Sequence, residues 1–255
     1  MTGPNIRPLV AGNWKMNGLS HAIEEAAAVC RSLSGPLAGV MADVMIAPPA
    51  TLLAHLASAC QGSPVMLAGQ DCHAQMSGAY TGDVAAEMLK DAGASAVVLG
   101  HSERRSEHGE TSVSVCAKVK AAHRAGLAAI VCIGETLGER EAGLTAAVVA
   151  RQLKGSLPDG VAAANTVIAY EPVWAIGTGL TPTANDIADI HRLIRRDLNI
   201  RFHHESDNMR ILYGGSVKPD NAKALMSVEN VNGALVGGAS LKAQDFLAIL
   251  RVYES

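Results

Sequence analysis

Short apolar runs rich in β-branched residues, alanine or leucine recur eight times along this chain. Each is followed by a longer stretch whose apolar positions are spaced as on one face of a helix. The runs lie at Pro8–Gly12, Asp43–Ala47, Pro64–Gly69, Ala96–Gly100, Leu127–Cys132, Thr166–Tyr170, Met209–Tyr213 and Ala234–Val236. Helical spacing follows at His21–Leu33, Thr51–Cys60, Asp83–Ala92, Val113–Ala125, Ala146–Leu153, Asp186–Phe202, Pro219–Met226 and Gln244–Val252. Runs that are apolar on both faces and alternate with helices predict a parallel sheet covered by helices, because neighbouring parallel strands can be joined only by crossovers. Eight such units predict an α/β chain closed into a (β/α)8 barrel with the helices outside. The alternative, a doubly wound open sheet, would carry a glycine-rich nucleotide loop after its first strand, where this chain has Asn13-Trp14-Lys15-Met16-Asn17. No linker or shift in composition divides residues 1–255, and barrels of about 250 residues are usually one domain, so a single domain is expected.

Composition narrows the rest. The chain is 49% apolar but only 3% aromatic, so its core is expected to be aliphatic. Its formal charge of −3 comes without long runs of either sign, which speaks against a nucleic-acid or anionic-membrane partner. The five cysteines are odd in number, widely spaced and never in a C-x-x-C arrangement, which fits a reducing, cytoplasmic setting and neither a disulfide framework nor a zinc ribbon. There is no signal-peptide pattern at the start and no membrane-length run of about 18 apolar residues.

Barrels of this kind carry chemistry on the loops at the C-terminal ends of their strands. Asn13 and Lys15 follow the first run, Gln70 and Asp71 the third, and His101 and Glu103 the fourth. Glu171 follows the sixth, Gly214-Gly215-Ser216 the seventh, and Gly237-Gly238 the eighth. All therefore fall on one rim. Each residue also has a plainer reading: Lys15 as a solvated charge, His101 as a structural histidine, Glu171 as a strand cap, the glycine pairs as turns. Cys132 reads as a small buried apolar residue. His73 beside Asp71 and Cys72 suggests a metal ligand, but no second cluster completes a set, and no metal is expected. The phosphate-loop, H-E-x-x-H and G-x-S-x-G motifs do not occur, and Gly177-Thr178-Gly179 lacks the third glycine of a dinucleotide loop.

Taken in order, seven segments resemble the triosephosphate isomerase family from about Arg7 to the final helix. They are Gly12–Asn17, Ser77–Gly82, Gly100–Arg105, Cys132–Thr136, Ala169–Gly179, Tyr213–Val217 and Leu235–Ser240. The resemblance implies interconversion of dihydroxyacetone phosphate and glyceraldehyde 3-phosphate through an enediolate, with no metal or organic cofactor. It implies Glu171 as the base, its basicity raised by burial, with neutral His101, Lys15 and Asn13 as donors to the developing oxyanion. That family is a standard illustration of such pKa tuning and of loop closure. Glu103 is implied close behind, positioning Lys15 or relaying protons. Backbone groups of Gly177, Ser216, Gly237 and Gly238 would hold the substrate phosphate, aided by a short helix after the eighth strand.

Pro172, Val173, Trp174, Ala175, Ile176, Gly177 and Thr178 match the family's lid, and Ile176 with Leu235 its apolar clamp over Glu171. The long stretch Gln70–Gly82 matches its projecting third loop, implying a homodimer in which Thr81 reaches the partner's site near Asn13 and Lys15. His108, Asp83 and the Thr178-Gly179-Leu180 hinge depart from the common pattern without removing a catalytic group. Another phosphosugar-acting barrel enzyme, or a non-catalytic phosphometabolite-binding protein on this fold, are the alternatives; neither would be expected to keep Asn13, Lys15, His101 and Glu171 together with this lid.

Overall fold

A computed structural model of the chain describes residues 6–176 and 180–254. Its strands are β1 (Leu9–Asn13), β2 (Asp43–Ala47), β3 (Val65–Gly69), β4 (Ala96–Leu99), β5 (Ala128–Ile133), β6 (Thr166–Tyr170), β7 (Ile211–Tyr213) and β8 (Gly233–Val236). Every neighbouring pair is parallel, and β8 pairs back onto β1, so the sheet closes as an eight-stranded barrel in chain order. The eight expected strands are present, each within two residues of its expected bounds.

The helices are α1 (Ile23–Leu33), α2 (Ala50–Ala59), α3 (Ala86–Asp91), α4 (Ser102–Glu107), α5 (Ser112–Arg124), α6 (Leu137–Glu141), α7 (Thr145–Ser156), α8 (Ala184–Phe202), α9 (His204–Asp207), α10 (Ala222–Met226) and α11 (Ala243–Leu250). The eight periodic stretches became α1, α2, α3, α5, α7, α8, α10 and α11. Helices α6 and α9 have too few turns to show a periodic apolar face. α6 is started instead by a capping box, in which the Thr136 hydroxyl accepts from the Glu139 N–H and the Glu139 carboxylate accepts from the Thr136 N–H.

Strand alternation divides the core into two shells. Leu9, Ala11, Met45, Ala47, Ala68, Ala96, Val98, Ile130, Cys132, Val167, Ala169, Leu212 and Leu235 pack together inside the barrel. Their neighbours Val10, Ile46, Val97, Leu99, Val131, Ile168, Ile211 and Val236 join the outer shell against the helices. Alanine is frequent in the inner shell, whose small bore does not admit aromatic rings. Trp14, Tyr170, Tyr213 and Phe246 are buried in the outer shell. Cys132 lies fully buried in the inner one, where burial pushes its thiol well up and keeps it neutral.

Candidate active site

The alternation that fills the barrel also selects what faces its mouth. In β1, Leu9 and Ala11 point inward, so Asn13 is the next inward position. In β6, Val167 and Ala169 are followed by Glu171, which is only 1% exposed. By the same count Gly214 follows Leu212, and Gly237 follows Leu235. In β4 the count is interrupted. Gly100, at φ +65°, takes a left-handed turn that side chains disfavour, and His101 is delivered buried at the rim as the N-cap of α4. Gly134, just after β5, allows Glu171 to sit where it does: a Cβ there would meet the Glu171 carbonyl oxygen at 1.7 Å.

Glu171 is held by three contacts. The Ser102 N–H donates to Oε2 at 2.9 Å, the Ser102 hydroxyl to Oε1 at 3.2 Å, and His101 Nε2 lies 2.9 Å from Oε1. His101 Nδ1 accepts from the Glu103 N–H at 3.3 Å, so in the neutral ring the proton belongs on Nε2, facing Glu171. Burial pushes the Glu171 carboxyl up, but the adjacent imidazole and the Ser102 donors outweigh it and hold the group below the ordinary carboxylate value. Reciprocally, burial pushes His101 down, while the Glu171 carboxylate raises it further and leaves it above its ordinary value. These directions differ from the expected raised Glu171 and neutral His101. The reason is geometric: the carboxylate is turned against the imidazole, and the two groups stabilise each other's charged forms.

Lys15 adopts φ +53°, a conformation that costs a lysine and is here over-determined by its surroundings. Its N–H donates to Asn13 Oδ1 at 3.0 Å, and its carbonyl accepts from Gln70 Nε2 at 2.8 Å. Gln70 Nε2 also donates to the Ala47 carbonyl at 2.9 Å. Lys15 Nζ reaches Glu103 Oε1 at 2.5 Å, so Glu103 does lie where it can position the lysine. The adjoining Trp14 is anchored by its indole N–H to the Ser240 carbonyl at 3.1 Å.

Asn13, Lys15, His101 and Glu171 open into one cavity of about 650 Å³, together with Ser216, Gly237 and Gly238. Ile176 and Leu235 contribute to its apolar lining. A Cβ at Gly238 would meet nothing within 4 Å, so its backbone is open to approach. Beyond Glu171, Pro172 leads into a 3-10 turn over Val173–Ala175 that buries Trp174 and Ala175. Gly177 and Thr178, expected in the phosphate site and the lid, lie outside the described residues.

Several contributors were not singled out in the sequence. Ser102 is a direct partner of Glu171, and only its place between His101 and Glu103 hinted at it. Gln70, noted only for its position, secures Lys15 from 55 residues away. Glu135 is completely buried and accepts from the Tyr170 hydroxyl at 3.1 Å and from Trp174 Nε1 at 2.9 Å.

On the other side of Lys15 lies a second cavity of about 430 Å³, lined by Asn13, Met16, Gln70, Glu103 and His108 among others. Nearby, the segment from Gln75 to Asp83 stands exposed with Met76, Tyr80 and Thr81 outward, and the His73 ring packs 4.1 Å from that of Tyr80. Asp71 pairs with Lys118 at 2.8 Å and Arg104 at 2.9 Å. Among the described residues, no group of three or more His, Cys, Asp or Glu side chains could hold a metal ion, and no helix is long and apolar enough to cross a membrane.

A closed parallel barrel with a buried carboxylate, an imidazole and an ammonium group gathered at its strand ends defines a (β/α)8-barrel enzyme equipped for proton transfer. The family model for triosephosphate isomerase matches residues 8–253. The triosephosphate isomerase of Xanthobacter flavus is 60% identical over 96% of this chain and 97% of its own length; that of Rhizobium meliloti strain 1021 is 58% identical over 98% of each. The crystal structure of triosephosphate isomerase from Bartonella henselae superposes with a TM-score of 0.92 at 49% identity, covering 98% of this chain and all of that one. The chain belongs to the triosephosphate isomerase family.

Proposed function

We propose that this chain, as one barrel domain, interconverts dihydroxyacetone phosphate and D-glyceraldehyde 3-phosphate by proton transfer through an enediolate. The observation that carries this reading is the convergence of buried Glu171, His101 and Asn13 with half-buried Lys15 on one cavity also lined by Ser216, Gly237 and Gly238.

Glu171 is the base that takes a proton from the carbon beside the carbonyl and returns it to the neighbouring carbon. A substrate carbonyl placed against His101 Nε2 competes for the proton now facing Glu171. Once the carboxylate turns from His101 and Ser102 toward substrate carbon, burial acts on it alone and its basicity rises. His101, without the nearer of the two carboxylates that favour imidazolium and with Nδ1 accepting from the Glu103 N–H, then serves as a neutral donor. Lys15, steadied by Glu103, and Asn13 stabilise the oxyanion. Ser216, Gly237 and Gly238, with Gly177, hold the phosphate.

The residues Pro172 to Thr178 act as a lid that excludes water, Ile176 and Leu235 close over Glu171, and the enediolate is thereby kept from expelling its phosphate. The reaction requires no cofactor. A second copy of the chain completes the assembly, its loop around Thr81 entering the cavity beside Asn13 and Lys15. The setting is cytoplasmic, consistent with five unpaired cysteines.

Incubation with dihydroxyacetone phosphate in heavy water tests the reaction, because an enediolate must leave deuterium on carbon in recovered substrate and product. Glu171→Gln is expected to lower turnover by about 10²- to 10⁴-fold while still binding a phosphorylated analogue. Native turnover in that variant would remove Glu171 from the role of base.

A further inference from the structure

Arg140, in α6, makes three contacts with its single guanidinium. The group stacks over the Trp174 ring with 4.3 Å between its central carbon and the ring centroid. Nη2 donates to Asp186 Oδ1 at 2.9 Å, and Nη1 stands 3.9 Å from Glu135 Oε1. The partners belong to three chain segments: the loop after β5, the turn that follows Glu171 and the first turn of α8. Glu135 is completely buried, accepts from Trp174 Nε1 and the Tyr170 hydroxyl, and through its backbone carbonyl accepts from the Val173 N–H at 3.1 Å. Two residues earlier, at the end of β5, the Ile133 carbonyl accepts from the Glu171 N–H at 2.8 Å. The end of β5 and the loop after it therefore grip the chain at the base and just beyond it. Asp186, for its part, caps α8 by accepting from the Thr183 N–H at 2.9 Å and the Thr183 hydroxyl at 2.7 Å.

We infer that Arg140 is a positioning residue for the isomerisation: one planar cation ties the turn that follows Glu171, through Trp174 and Glu135, to the first turn of α8. The inference rests on the reaction proposed above. A guanidinium can stack on an indole face and donate in its own plane at the same time, which an ammonium group cannot do. It is also the cation that faces the buried Glu135 carboxylate, for which an uncompensated charge would be costly. Losing it loosens the turn over the cavity and so affects the competition between proton return and phosphate loss. In the latter the oxyanion's electron pair forms a carbonyl, the existing carbon–carbon double bond shifts to the neighbouring carbon pair, and the carbon–oxygen bond to phosphate breaks with its electrons, releasing inorganic phosphate.

The test compares the wild type with Arg140→Met, Arg140→Lys and Asp186→Asn, measuring kcat, KM, melting temperature and the share of turnover that appears as free inorganic phosphate. Arg140→Met is expected to lower kcat about tenfold and to raise the released phosphate share about tenfold, from the loss of one charge-assisted hydrogen bond and one stacked cation. Arg140→Lys should recover less than half of the loss in logarithmic terms. Asp186→Asn keeps an oxygen for the Thr183 cap but turns an amide toward Arg140, so it should shift both quantities the same way, and it decides the matter if Arg140→Met does not fold. A fall in melting temperature with native kcat and native phosphate release would reduce Arg140 to a structural tie and overturn the inference. A wild type that does not isomerise triose phosphate would refute the proposed reaction itself, and this inference with it.

Discussion

Gly214→Ala is a sharp test of how the barrel places its base. A methyl group on Gly214 would stand 2.9 Å from Glu171 Cγ and 3.1 Å from the Tyr170 carbonyl oxygen. That carbonyl is fixed, since it accepts the Gly214 N–H at 2.7 Å. The strain therefore falls on the Glu171 side chain. Carbon atoms in comfortable contact sit about 3.5 Å apart or more, so Cγ must retreat by about 0.6 Å. The carboxylate moves at least as far, enough to carry its 2.9 Å contacts with Ser102 and His101 to the edge of hydrogen bonding. A misplacement of about 1 Å can cost about 10²-fold in rate, so a shift of this size should lower kcat about tenfold, or about 1.4 kcal/mol of barrier. KM should change little, because the phosphate wall is untouched. Stopped assays following triose interconversion give both parameters, and melting curves report whether the barrel remains intact. Gly138→Ala, which meets nothing within 4 Å, serves as the neutral comparison. Native kcat in a folded Gly214→Ala protein would show that Glu171 is not placed by contact with this strand end.

Three further expectations concern charge and assembly. Nitrogen NMR of the free protein should find His101 titrating above the ordinary value of 6.5, and Glu171→Gln should lower it, because that removes the larger of the two carboxylate charges opposing burial and leaves only Glu103; no change would contradict the pairing of the two groups. The sign for stability follows: the His101 contribution is present below pH 6.5 and lost as pH rises through its raised pKa, whereas that of Glu171 is present above 4.5 and lost as pH falls through its lowered one. His191, fully buried with Nδ1 3.0 Å from the Asn230 carbonyl, is pushed down to about 4 by burial. Unfolded chains bind its proton first, so the protein should lose up to about 3 kcal/mol between pH 6.5 and 4 from this group, and urea unfolding of His191→Asn should show a correspondingly shallower pH dependence. Thr81→Arg, a charge at the tip of the exposed loop, should yield monomers with impaired turnover in sedimentation and rate measurements; a fully active dimer would place the contact elsewhere.

The fold was legible because its determinants are local. Each strand is short, apolar and next to its helix; repetition makes the sheet parallel, and eight units without a glycine-rich loop after the first strand favour closure. The site was legible as a set of rim positions, because Asn13, Glu171, Gly214 and Gly237 simply continue the inward count of β1, β6, β7 and β8. What supports those residues was much less visible. Ser102 and Glu171 are 69 positions apart, Gln70 and Lys15 are 55 apart, and Arg140 and Asp186 are 46 apart; no periodicity relates such pairs. Nor could the sequence foretell the direction of the Glu171 and His101 shifts. Burial alone would raise the first and lower the second, and only the way the carboxylate is turned reverses both.

The inward count has a consequence for how such a chain tolerates change. In β6 the residues that alternate are not interchangeable cargo: Tyr170 faces the helices and bonds to buried Glu135, and the very next residue is the base. Loss of one residue within Thr166–Tyr170 would act as a frameshift in space, sending a carboxylate into the outer shell and a phenol into the narrow bore, with every residue type but one still present. Length is therefore a chemical property of these strands. The turns at the opposite end of the barrel, which carry none of the residues that line the main cavity, are where evolution or a designer can add and remove residues freely.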